Sequence, residues 1–114
     1  MEFVMHHDSK HQACIAACTE CAQSCEHCAN ACLGKMPECA RLCIDCADLC
    51  AMCVAFMSRG SPFHAKLCGL CADACDACAA ECGKHDNEHC KECTAACKKC
   101  AAECRAMAKE MAHA

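Results

Sequence analysis

The chain has 114 residues, 21 of them cysteine, with no Trp or Tyr, three Phe and a formal net charge of −4 at pH 7. That length makes one domain, residues 1–114, yet too little bulky apolar matter remains beside the cysteines for an ordinary core. The basic residues are scattered among acidic ones and no apolar stretch could span a bilayer, so no nucleic-acid or membrane partner is expected.

The start, Met1-Glu2-Phe3-Val4-Met5-His6-His7, has neither the basic nor the apolar region of a signal peptide, and none is expected. The first helix is expected over about 9–33, with Asp8 or Ser9 as N-cap and Gly34 ending it. It carries Cys14, Cys18, Cys21, Cys25, Cys28 and Cys32. The second, about 37–58, opens on Pro37, a favoured first helical residue, and ends before Gly60. It carries Cys39, Cys43, Cys46, Cys50 and Cys53. Ser61-Pro62 pairs a cap with a proline, which predicts a third helix over about 62–82 with Cys68, Cys71, Cys75, Cys78 and Cys82, broken at Gly83. Asp86 or Asn87 caps a fourth, about 87–112, with Cys90, Cys93, Cys97, Cys100 and Cys104. Loops of a few residues make consecutive helices antiparallel neighbours. The expected fold is all-α: an antiparallel up-down-up-down four-helix bundle.

Steps of three and four residues put the sulfurs of each run on one helical stripe. With Cys14 at d and Cys18 at a, every cysteine falls on a core position, and the flanking positions are largely alanine. The core itself is therefore thiol. An odd number of cysteines cannot all pair within the chain, and Cβ atoms about 5–6 Å apart along a helix are too distant for a disulfide. Sulfurs bridged by a metal at about 2.3 Å each could sit roughly 4.5 Å apart, which suits the spacing better. Reduced thiols in this number imply a reducing compartment, most simply the cytosol. Cu(I) is soft and accepts two or three thiolates. A ratio of one Cu(I) per thiolate also leaves the core neutral, on the order of 20 ions in all. Zn(II) in closed four-cysteine sites would leave about five ions in a strongly negative core.

Four helical runs of repeated C-x-x-x-C-x-x-C, with His and Met at the stripe ends, resemble the bacterial copper storage proteins, specifically their cytosolic branch, over nearly the whole chain. The resemblance implies a Cys-filled four-helix bundle that holds many Cu(I) ions and assembles as a homotetramer. The expected function is cytosolic storage or buffering of Cu(I), exchanged with a copper chaperone or cuproprotein recipient. The alternative is a metallothionein-like protein that sequesters zinc or cadmium. No enzyme is expected, because no acid–base pair, nucleophile or cofactor motif stands apart from the thiols.

Extending the stripes past their cysteines reaches His7, His11, Met57, His64, Met107 and Met111, which such a bundle would gather at one end. Thioether and imidazole bind Cu(I) more weakly than thiolate, so this end is the expected metal entry; the other reading has Met plugging the end and His in solvent. The opposite end would carry Met36, His85, Asp86 and His89, a less soft set. His27 lies off the stripe and reads as surface, and Met52 lies on an outer face. Leu42, Leu49 and Phe56 form a ridge that reads as a subunit interface.

Overall fold

The computed structural model describes residues 9–112, with side chains from His11 to Lys109. Four helices run α1 (Ser9–Cys32), α2 (Pro37–Ser58), α3 (His64–Cys82) and α4 (Glu88–Ala112), and the described residues contain no strand. Each helix packs on its chain neighbour and α4 closes on α1, which completes the up-down-up-down bundle.

The chain ends its helices by local chemistry. Gly60 has φ 65°. This left-handed residue lets the Ser61 N–H reach the Phe56 carbonyl at 2.9 Å and the Gly60 N–H reach Met57 at 3.2 Å, the paired bonds of a Schellman motif. Gly34, at φ 77°, makes the other left-handed turn. Pro37 opens α2 at its first turn, where a missing N–H costs nothing. Pro62 does not open α3, which starts two residues later. Ser61 makes a separate turn there: its Oγ accepts from the Phe63 N–H (3.1 Å) and its carbonyl from the His64 N–H (3.3 Å). The Asn87 carbonyl starts α4, accepting from the N–H groups of Cys90 and Lys91.

All 21 cysteines are buried and unpaired, at 0% exposure. Ala17, Ala29, Ala40, Ala47, Ala72, Ala79, Ala96 and Ala101 are buried beside them. With only methyl groups on these flanks, facing backbones approach until the sulfurs touch. On the outside, Arg105 ties α4 to Asp76 (2.9 Å) and Asp73 (3.3 Å) of α3; such exposed pairs orient more than they stabilise. Leu42 and Leu49 are half-buried and line a groove with Leu70, Asp45, Asp48 and Asp73. Phe56, one heptad further on, carries the Arg59 guanidinium over its ring at 4.7 Å.

Candidate metal centre

The four stripes deliver their sulfurs to the bundle axis in stacked layers, one from each helix. Cys14, Cys53, Cys68 and Cys104 make the first layer, and Cys18, Cys50, Cys71 and Cys100 the second. Cys21, Cys46, Cys75 and Cys97 lie at the middle, followed by Cys25, Cys43, Cys78 and Cys93. Cys28, Cys39, Cys82 and Cys90 form the last. Cys32 follows alone, with its Sγ 3.9 Å from that of Cys28. The layers touch one another through pairs such as Cys18–Cys104 (3.5 Å), Cys25–Cys97 (3.7 Å) and Cys43–Cys82 (3.8 Å). The result is one continuous column of thiols.

Neighbouring sulfurs come as close as 3.3 Å (Cys39–Cys82), closer than the expected spacing of bridged thiolates. Cys21, Cys46 and Cys97 show what this means. Their mutual distances of 3.7, 3.8 and 3.9 Å place all three about 2.2 Å from a common in-plane point, against a metal–thiolate bond of about 2.3 Å. Three-coordinate binding fits as the sulfurs stand, whereas a linear pair would need them about 4.6 Å apart. Distance alone also admits a tetrahedral ion within a layer, since Cys18, Cys50, Cys71 and Cys100 all lie within 4.8 Å of one another. Charge separates the two. A divalent ion in each of the layers would strand a net charge of about −10 in the core, a large desolvation cost, while one monovalent ion per thiolate strands none.

Burial is the main cause that pushes Cys28, Cys39 and Cys90 up from the ordinary thiol range, Cys39 to about 11. Deeper in, the thiols act on one another. Cys25 is held up first by its hydrogen bond to Cys21, which hydrogen bonds from Cys100 and Cys25 pull down. A metal that displaces these protons removes the cost of burying thiolate.

The structure brings His11, Met57, His64 and Met107 to one end. The His11 and His64 rings stand edge-on with centroids 5.5 Å apart. Met57 and Met107 are buried, and Cys68 donates its S–H to the Met57 sulfur at 4.0 Å. The His64 Nδ1–H donates to the Ser61 carbonyl at 2.8 Å, leaving its buried Nε2 without a partner. His7 lies outside the described residues, as does the side chain of Met111.

At the opposite end stand Met36, His85 and His89. His85 pairs with Glu81 at 3.2 Å, and Asn87 donates to the Met36 sulfur at 3.9 Å. His89, however, sets Nδ1 3.4 Å from the Cys28 sulfur and 3.5 Å from that of Cys90. A signal was present: His89 stands four residues before Cys93, on the same stripe. Its proximity to Cys28, on another helix, was not visible in it.

The model of one family, described as copper storage protein, matches residues 7–109. The chain belongs to the copper storage protein family. Membership in this family makes the storage of copper the role of the chain. Copper-free copper storage protein 3 from Bacillus subtilis is 50% identical, with 85% of this chain and 97% of that one aligned at a TM-score of 0.82. The Cu(I)-bound form of a copper storage protein designated BsCsp3 is 47% identical, covering 88% and 99% at a TM-score of 0.84. The Streptomyces lividans copper storage protein loaded with 10 copper equivalents is 36% identical, covering 84% and 81% at 0.79. No curated protein sequence matches. Family and fold together favour copper storage over the zinc- or cadmium-sequestering alternative. No helix of the described residues is long and apolar enough to cross a membrane.

Proposed function

We propose that the chain stores copper as Cu(I) on its 21 core cysteines, about one ion per thiolate and on the order of 20 in all. The observation that carries this is the column of touching thiols whose triangles are already metal-sized. It works in the cytosol, where a reducing environment keeps free thiols free, and acts as a store or buffer without catalysing a reaction. It receives copper from, and yields it to, a chaperone or cuproprotein. Anaerobic titration with Cu(I) against a chromophoric chelator tests the proposal and should saturate near 20 ions. Saturation at four or five ions with a preference for Zn(II) would reject it.

Copper enters and leaves at the end built from His11, Met57, His64 and Met107. A buried imidazole nitrogen with no partner and a thioether against the first sulfur layer supply weak ligands where ions must exchange. Replacing Met57, His64 and Met107 together by Ala should slow both loading and chelator-driven removal about tenfold, equivalent to about 1.4 kcal/mol of lost contact. Capacity should stay nearly constant. Unaltered rates in that variant, with slower rates from changes at His85 and His89, would place the mouth at the wrong end.

The subunits associate as a homotetramer through the ridge of Leu42, Leu49 and Phe56, which Leu70 extends; Leu70 is 55% exposed in the single chain. The double variant Leu49→Glu, Leu70→Glu adds two charges beside Asp45, Asp48 and Asp73 and should yield monomers by light scattering. An unchanged mass counts against this face.

A further inference from the structure

We propose that the mouth takes copper in the form of anionic Cu(I)–thiolate complexes, guided to it by a rim of exposed cations. The proposal rests on the storage reading and on the placement of the mouth, and it names the chemical form in which copper arrives. From Leu49 to Ala72, the stretch that ends α2 and starts α3, the sequence holds no Asp or Glu. It does hold Arg59 and Lys66, and Lys109 follows in the last turns of α4; all three are exposed. Gly69 packs against Ala108, which sets the start of α3 level with the end of α4. Arg105 lies here too, but Asp73 and Asp76 already engage its guanidinium. Away from the rim acids take over: Glu20 and Glu26 on α1, Asp45 and Asp48 on α2, Asp73 and Asp76 on α3. The far end mixes Lys35, Lys84 and Lys91 with Glu38, Asp86 and Glu88.

Two helices start and two end at the mouth, so their backbone dipoles offset one another and side-chain charge sets the field there. A hydrated Cu(I) cation is drawn to the acidic flanks and turned back at the rim. The same ion held by two thiolates carries a net negative charge and meets the opposite field. Among reduced thiols a soft ion is held in that form. The rim therefore directs the thiolate-bound ion to the end where the Met57 sulfur and the partnerless nitrogen of His64 stand beside the first sulfur layer.

Delivery is ligand exchange. A core thiol passes its proton to one carrier thiolate while its sulfur takes the ion. The complex and one core thiol thus give a core Cu(I)–thiolate, one carrier thiol and one carrier thiolate. Copper stays Cu(I), and no electron moves.

The test uses the full chain, reduced and copper-free under anaerobic conditions, and measures protein-bound copper after rapid desalting at set times. The donors are Cu(I) mercaptosuccinate, which is anionic, and Cu(I) cysteamine, which is cationic. At about 0.01 M salt the Debye length is about 30 Å. There the anionic-to-cationic ratio of loading rates should fall about tenfold from the wild type to the double variant Lys66→Glu, Lys109→Glu. The donors' own lability cancels in this comparison. Arg59 is left in place because it stacks on Phe56 of the association ridge. The variant Lys35→Glu, Lys91→Glu makes the same change in net charge at the far end and should keep the wild-type ratio. At about 1 M salt the variants should no longer differ. Two-cysteine peptides flanked by glutamates or by lysines repeat the comparison. A larger fall than with the small donors assigns the carrier to a protein surface, and an equal or smaller fall assigns it to free thiolate complexes. An unchanged ratio in the Lys66, Lys109 variant, or the same fall in the Lys35, Lys91 variant, would overturn the guidance and leave storage standing. Wild-type protein saturating at only a few ions would reject storage, and the ratio of rates would still decide the guidance.

Discussion

Lowering the pH from 8 to 6 should weaken retention of stored copper about 100-fold at each site whose thiol takes back a proton. A core thiol gives up its proton to bind Cu(I), so copper and proton compete for one sulfur. Below the thiol pKa, each pH unit then changes the apparent affinity about tenfold. Burial enlarges the window, because a thiol such as Cys39, pushed up to about 11, carries its proton throughout this range in the copper-free state. Thiols pulled down by their neighbours, such as Cys21, contribute a shallower slope. Chelator competition at pH 8, 7 and 6, corrected for the chelator's own protonation, measures the effect. Loading in weak buffer should release about one proton per ion. Retention that does not vary with pH would mean that the thiols are ionised before copper arrives.

The reduced, copper-free protein should be helical and should lose stability steeply between pH 9 and 11, while the copper-loaded protein should not. Helicity without metal follows from alanine-rich flanks, the glycine turns at Gly34 and Gly60 and short loops, all of which act locally. The pH window follows from the raised thiols. Cys39 titrates at about 11 in the folded chain against an ordinary value of 9.0. Below pH 9 it is protonated whether folded or unfolded, and stability is complete. As pH rises further the unfolded chain ionises and the folded one resists, so stability drains away until the folded thiol also ionises near pH 11. A group held neutral by one pKa unit costs about 1.4 kcal/mol there, and a loss of that size lowers the melting temperature of a small domain by about 4–8 °C. Several such thiols should therefore lower it by more than about 10 °C. Bound copper removes the titrating proton and with it the alkaline loss. Thermal scans by circular dichroism at pH 8 and 10.5, with and without copper, separate the cases. A random-coil spectrum for the copper-free protein at pH 8 would instead indicate folding around metal.

The amino-acid sequence by itself determined which side chains face inward and how the chain turns back on itself. A run such as Cys14–Cys18–Cys21–Cys25 repeats at the helical period, and glycine at 34 and 60 meets a backbone requirement within its own turn. Both are local properties, and local physics writes them legibly. Even so, local rules misplaced the start of α3, because Ser61 spends its oxygen and carbonyl on a turn around Phe63 and His64 before the helix begins. Only the tertiary structure decided which sulfurs meet. That Cys21 shares a layer with Cys46, Cys75 and Cys97 depends on the axial stagger of four helices, which packing and loop geometry set together. The same stagger brings the sulfurs close enough for three-coordinate binding and turns the partnerless nitrogen of His64 inward at one end. At the other end it lays the imidazole of His89, carried on α4, against the Cys28 sulfur of α1, because a helical period specifies a direction from the axis but not the neighbour met there.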